Sequence, residues 1–247
     1  MIDKSYFRLC NIFFNGLTKN DIFNNASKFK FIITANSEII VKAQKDERLR
    51  KIINENIVTL DGQIPYWLFR FKYRNIKAEK ISGSDFIYDL CEHAKQHNKR
   101  VFLLGGYQDS NTLSVQRIRE KYNIEVDGYS PPYEPYPFSD KTNALIIEKI
   151  LQFRPNILLV GFGAKKQEFW IDDNKEILKK IGIEIVIGVG GTFDFVSGKI
   201  KRAPKFIQNL GLEGLWRLIM EPKLFRLKRL LVSSMIFYYF FKEDILR

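Results

Sequence analysis

Asp61 stands directly after an apolar run, Ile57-Val58-Thr59-Leu60, and directly before Gly62. A carboxylate at such a strand end faces the cleft where α/β proteins bind ligands. Partial burial there would raise its pKa and let it act as a general base toward a hydroxyl. The competing role is capping the helix that follows. Thr34 and Asn36 close a second apolar run, Phe31-Ile32-Ile33-Thr34. They could hydrogen-bond a sugar hydroxyl, or cap a helix beginning at Ser37. Three more runs end in glycines: Gly105-Gly106, Gly161-Phe162-Gly163 and Gly188-Val189-Gly190-Gly191. Glycine lets backbone N–H groups approach a ligand, and helix N-termini favour anions, so these turns fit a nucleotide or diphosphate. Plain strand-to-helix turns would read the same way. Gln167, soon after Gly163, could point an amide at a sugar or lie on the solvated surface. Asp194, past the last glycine pair, could hydrogen-bond a base or ribose, or serve as a helix-start carboxylate.

The same residues exclude other chemistry. None of the glycine turns completes a dinucleotide fingerprint or a Walker A loop, which disfavours NAD and ATP. No Asp-x-Asp pair occurs to hold Mg²⁺ or Mn²⁺ on a diphosphate. His93 and His97, the only histidines, have metal-compatible i, i+4 spacing. No third ligand accompanies them, and Lys95 and Gln96 mark an exposed face. No cofactor and no metal are therefore expected. The two cysteines, Cys10 and Cys91, have no metal-type spacing and point to a reducing compartment rather than a disulfide framework.

The elements that must position these residues alternate. Strands are expected at 31–34, 57–60, 100–104, 124–126, 156–160 and 184–187. Helices are expected at about 37–56, 84–97, 110–122, 140–153 and 165–178. The segment 128–137 carries four prolines and reads as a loop. Alternating strands and helices imply an α/β fold, a Rossmann-like parallel sheet with helices on both faces. After about Ser197 the strand signal stops. The expected organisation is a catalytic domain over 1–197 and a basic helical appendage over 198–247.

The net charge of the 247 residues is +12, which calls for an anionic partner. Residues 199–247 hold 11 lysines and arginines against 4 acidic residues, a net of +7. In 215–231 basic and apolar side chains interleave at helical spacing, which suits a helix lying among lipid headgroups, or one packed on the core. The aromatics cluster in an apolar run instead of spacing themselves among the basics, so nucleic acid fits poorly. The longest apolar stretch, 230–241, is short of the roughly 20 residues that span a bilayer. Residues 1–8 lack a leader-type apolar core. The protein is thus expected to be soluble or peripheral. The tail's apolar face could equally meet a second copy, so a homo-oligomer is an open partner.

Together the motifs resemble the WecG/TagA/CpsF glycosyltransferases. The matching pieces are Thr34-Ala35-Asn36-Ser37-Glu38, Asp61-Gly62, Gly83-Ser84-Asp85, Val101 to Gly106, Gly161 to Glu168, Gly188 to Phe195, Ser197-Gly198-Lys199 and Lys201-Arg202-Ala203-Pro204. Leu210 to Glu213, Trp216-Arg217-Leu218 and Glu221-Pro222 complete the set. The resemblance implies an inverting, metal-independent transfer from a UDP-sugar, often of the N-acetylmannosamine type. The acceptor would be N-acetylglucosamine on undecaprenyl diphosphate, in polysaccharide or teichoic acid synthesis, and the place the cytoplasmic face of the membrane. It makes Asp61 the base, puts Thr34, Asn36 and Gln167 in the pocket, and brings arginines of a membrane-binding appendage over the site. Arg217 matches within a motif; Arg226 and Arg229 belong to the same basic set. Lys80 stands where the family often has arginine, keeping the charge but not the fork. The UDP contacts would come from Gly105, Gly106, Gly161, Gly163, Gly190, Gly191 and Asp194. Two other classes stay open: an NAD-dependent enzyme modifying a nucleotide sugar, and a non-catalytic membrane scaffold that binds UDP-sugar.

Overall fold

The structure is a computed structural model describing residues 6–246. Residues 1–5 of the opening stretch, and residue 247 of the basic tail, lie outside the described residues.

The strands are β1 (Phe7–Leu9), β2 (Ile12–Phe14), β3 (Lys30–Ala35), β4 (Ile57–Leu60), β5 (Val101–Gly105), β6 (Val126–Tyr129), β7 (Ile157–Gly161) and β8 (Ile185–Gly188). Strands β3 to β8 form one six-stranded sheet in the order β4-β3-β8-β7-β5-β6. The pairings of β5 with β6, β5 with β7 and β7 with β8 are parallel. Every residue of β5 and β8 is buried, as the uninterrupted apolar runs require of strands covered on both faces. The expected α/β architecture with a helical C-terminal stretch is present.

The described residues divide into two compact units. One comprises those up to Ala26, Ile33–Ser82 and those from Arg202 onward; the other comprises Ser27–Ile32 and Gly83–Lys201. In the first unit β1 and β2 make a hairpin whose turn residues, Cys10 and Asn11, both have positive φ. The Cys10 N–H donates to Asp244 Oδ2 at 2.7 Å, and Lys72 Nζ reaches Asp244 Oδ1 at 2.6 Å. The Asp244 side chain is 1% exposed, so residue 244 closes over the hairpin as a buried carboxylate with partners on both oxygens. Nearby, Ile236 and Phe240 are buried and Phe240 meets the ring of Phe71.

The helix expected at 37–56 is two helices, Ser37–Lys45 and Glu47–Asn54. Asp46 ends the first in an extended conformation and caps the second through its side chain, which accepts from the Leu49 N–H. An aspartate that caps forward stops the helix behind it. The helix expected at 165–178 is likewise split at Asn174, into Lys166–Asp173 and Lys175–Ile181. The tail forms helices Lys205–Asn209, Glu213–Met220, Leu224–Ser234 and Ile236–Phe240. Leu224–Ser234 lies against Ser37–Lys45.

Candidate active site

In the first unit, strand ends bring several of the expected residues to one place. The Asp61 N–H donates to the Ala35 carbonyl at 3.3 Å, so the end of β4 adjoins the end of β3. Leu60 bridges Lys80 in parallel, and the Ile81 N–H donates to the Leu60 carbonyl at 2.7 Å. Lys80 therefore runs beside the strand that delivers Asp61; its ammonium donates to Gln63 Oε1 at 2.8 Å. Asp61 is half-buried. The cap position of the following helix, Gln63–Lys72, is occupied by Gly62 and not by Asp61. Gly62 has φ 85° and ψ 159°, a region essentially reserved for glycine. An added Cβ would meet nothing closer than Pro65 at 3.8 Å, so the backbone angle, and not space, requires the glycine. Thr34 is half-buried on β3. Asn36 is a helix cap, its Oδ1 accepting from the Ile39 N–H at 3.1 Å.

The same unit holds the three tail arginines. Arg217, on Glu213–Met220, has its guanidinium pulled down to about 10. Burial is the main cause; Glu213 acts against it, Arg229 and Arg226 add repulsion, and Asp61 offsets part of the total. Arg217 thus shares an electrostatic neighbourhood with two further guanidinium groups and with the carboxylate at the end of β4. Arg226 turns its Nε and Nη2 onto Glu221 Oε2, and the residue is 9% exposed. Arg229 places Nε 2.7 Å from Glu38 Oε2 and keeps a side chain that is 43% exposed.

The second unit holds the glycine turns and Gln167. Sequence alone left Gln167 between a pocket and the solvated surface; it is buried. Its Oε1 accepts from the Gly163 N–H at 3.2 Å and from the Gly190 N–H at 3.1 Å, and its Nε2 donates to Glu168 Oε1 at 2.8 Å. One amide oxygen therefore ties the turn after β7 to the turn after β8. A Cβ on Gly188 would lie 2.3 Å from Gln167 Nε2, so the strand end must be glycine for the amide to pack there. The Gly106 N–H donates to the Gly161 carbonyl at 3.1 Å. At Gly106, Gly163 and Gly190, then, the N–H groups are engaged inside the protein. Gly105 offers its carbonyl to Asn111 and Ser130, and Gly191 is exposed. Asp194 accepts from Ser110 Oγ at 2.7 Å and sits in the first turn of Phe193–Val196.

The His93 and His97 rings lie 4.3 Å apart. Among the described residues no group of three or more His, Cys, Asp or Glu is placed to hold a metal ion.

The model of the glycosyl transferase WecG/TagA/CpsF family matches residues 7–247, from β1 through the tail. The chain belongs to that family. It is accordingly a glycosyltransferase of the WecG/TagA/CpsF type, and membership brings with it a sugar donor and a lipid-linked acceptor. Among the described residues of this glycosyltransferase no helix is long and apolar enough to cross a membrane.

Three carboxylates escaped the reading of the sequence: Glu38, Glu213 and Glu221, which accompany Arg229, Arg217 and Arg226 respectively. Glu221 could have been found from its spacing of five residues to Arg226 across Pro222. Glu38 could not, because a glutamate in the first turn of a capped helix reads as a helix-dipole carboxylate.

Proposed function

We propose that this glycosyltransferase moves a hexosyl group of the N-acetylmannosamine type from a UDP-sugar to N-acetylglucosamine on a polyprenyl diphosphate, with inversion and without a metal ion. One observation carries the reading: Asp61 lies in the electrostatic neighbourhood of a guanidinium cluster in which burial first, and repulsion from Arg229 and Arg226 after it, depresses Arg217. A cluster of cations held together against repulsion is a site that gains most from an anion, and a diphosphate carries the charge that would relieve it.

In this mechanism the acceptor hydroxyl oxygen attacks the anomeric carbon while Asp61 takes its proton. The bond from that carbon to the diphosphate oxygen breaks in the same step, so the configuration inverts. Negative charge develops on the departing UDP, and Arg217 and Arg229 stabilise it in the place a metal ion would otherwise take. Lys80, beside the β4 end, adds a point charge to the same face of that unit. In the second unit, taken by itself, the turns after β5, β7 and β8, with Gly105, Gly161, Gly191 and Asp194, are the candidate nucleotide contacts; Gln167 holds two of those turns in register. Thr34 and Asn36 complete the sugar contacts at the end of β3.

The tail supplies the approach to lipid. Leu224 is 78% exposed and Leu231 is 62% exposed, beside exposed Phe225 and Ile219 and among the basic side chains of the same helices. Such a surface suits the cytoplasmic headgroup region of a membrane that contains anionic lipid.

The deciding experiment offers a panel of UDP-sugars to a polyprenyl-diphosphate N-acetylglucosamine analogue, with and without EDTA. Transfer that survives EDTA and is lost in Asp61→Asn, with UDP still bound by calorimetry, supports the mechanism. Near-normal turnover in Asp61→Asn removes Asp61 from it, and transfer abolished by EDTA removes the metal-free step.

A further inference from the structure

We propose that the helix Gln63–Lys72, which starts directly after Asp61-Gly62, is itself a lipid-contacting element: Trp67 and Phe71 enter the headgroup region, with Arg70 and Arg74 against lipid phosphates. The inference deepens the proposed function and rests on its reading that the acceptor is met at a membrane surface. It adds a second contact, outside the tail.

The sequence of this helix is apolar on two opposite faces. Pro65, Leu68 and Phe69 are buried in the first unit, where the Phe69 ring meets that of Phe7 at 4.4 Å. Trp67, Arg70 and Phe71, spaced i, i+3 and i+4, share the other face. Trp67 is 45% exposed and Phe71 is 66% exposed. Arg70 and, just past the end of the helix, Arg74 are exposed as well. A helix with apolar side chains on both faces belongs between two apolar surroundings. The core of the unit supplies the first.

The tail covers the second face in part. A Cβ on Gly211 would lie 3.3 Å from the Trp67 ring, so the indole rests on the backbone there. Phe71 meets the Phe240 ring edge-on at 6.1 Å. Leu210, next to Gly211, and Phe241, next to Phe240, are both more than half exposed. The exposed apolar surface of the helix thus adjoins that of the tail at two places.

Three observations choose lipid as the remaining cover. Family membership brings a lipid-linked acceptor, whose anchor lies in a bilayer, and among the described residues no helix is long and apolar enough to cross one. Trp and Phe beside Arg is the composition of an interfacial helix, with rings at headgroup depth and guanidinium groups on phosphate. A two-fold contact with a second copy would instead set this basic surface against itself, in a chain of net charge +12.

Anchoring here bears on the chemistry. Gly62 alone stands between Asp61 and this helix. A helix fixed in the headgroup layer therefore fixes the height of Asp61 over the membrane, at the level where a polyprenyl diphosphate carries its sugar.

The test uses the full-length protein with vesicles of mixed phosphatidylcholine and phosphatidylglycerol, and of phosphatidylcholine alone. The double variant Trp67→Ala with Phe71→Ala should bind mixed vesicles about 30-fold more weakly, the loss expected when two half-exposed aromatic side chains no longer leave water. Phe71→Ser alone, at the more exposed position, should lose about fivefold with Tm retained. Arg70→Gln with Arg74→Gln should lose about tenfold on mixed vesicles and little on phosphatidylcholine. Brominated phosphatidylcholine should quench the wild-type tryptophan emission, and Trp67→Phe should remove part of the quenched signal. Transfer to a vesicle-bound acceptor should fall with binding, while transfer to a water-soluble short-prenyl acceptor stays within about twofold of wild type. Unchanged vesicle affinity in the double variant, with Trp67 emission unquenched, overturns the inference and leaves the proposed function standing on the tail. A dimer that the double variant dissolves, again with vesicle affinity unchanged, overturns it in favour of a second copy. Wild-type protein that binds neither kind of vesicle overturns the lipid reading and this inference with it.

Discussion

Replacing Arg217 by methionine should make the ligand-free protein more stable and the enzyme far worse. The guanidinium is pulled well below its ordinary range, to about 10, by burial first and then by Arg229 and Arg226, against the opposing pull of Glu213 and Asp61. Each factor of ten in proton affinity is about 1.4 kcal/mol, so holding the charge in the folded protein costs about 3 kcal/mol. The sign follows from linkage: a basic group depressed in the folded state opposes folding wherever it is protonated, which includes neutral pH, and that opposition fades only as pH rises through about 10. Methionine keeps the apolar stem of the side chain and discards the charge. Even a third of the cost recovered, about 1 kcal/mol, should raise Tm by roughly 2–4 °C in a chain of this size. UDP supplies the missing anion, so its own stabilising effect should shrink in the variant; saturation at 100 times Kd is worth about 2.7 kcal/mol when binding is intact. Loss of a donor aimed at the leaving group should cost about 100-fold in kcat. Differential scanning calorimetry with and without UDP, beside initial rates, measures all three. A Tm several degrees lower with an undiminished response to UDP would refute the idea that this cluster waits for a diphosphate.

Three further outcomes can be checked with simple assays. Gly62→Ala should lose about 1–3 kcal/mol of stability by urea titration, because its φ of 85° is strained for any side chain even though the space is open. Asp244→Asn should lose about 1–3 kcal/mol, since it leaves Lys72 and the Cys10 N–H without their buried carboxylate. Neither thiol should react with a disulfide reagent at pH 8 in the folded protein: burial pushes Cys91 up to about 12 and Cys10 well above the usual thiol range, the latter with help from Asp244. Both should react at once in urea.

Most of the sheet was legible because β5, β7 and β8 are unbroken apolar runs, as parallel strands covered on both faces are; β6, Val126–Tyr129, lies two residues beyond the expected 124–126 and runs into the expected loop because Asp127 and Gly128 break its apolar pattern. What stayed hidden depended on partners distant in the chain. A first-turn glutamine ordinarily faces water, and nothing around Gln167 reveals that the amides of Gly163 and Gly190 converge on it. Asp46 looked like one more polar residue in a long helix, because capping depends on where the chain turns and not on the residue alone. The hairpin at residues 7–14 went unread because its strands have three residues each and its turn, Cys10-Asn11, carries no glycine. At the candidate site, strand-end position pointed to Asp61, whereas the carboxylate beside Arg229 is a matter of which helix the tail lies upon.

The buried grip of Asp244 on the opening hairpin has a consequence for synthesis. The acceptor for the hairpin's Cys10 amide, residue 244, follows it by 234 residues. A contact of that sequence separation is entropically slow to close, and two short strands are marginal by themselves in water. During translation the nascent hairpin must therefore stay labile, and this half of the protein consolidates only after residue 244 has left the ribosome. A chain interrupted inside the tail would release an opening segment without its clasp, exposed to chaperones and proteases, so that truncated products are cleared before they could compete for donor or lipid.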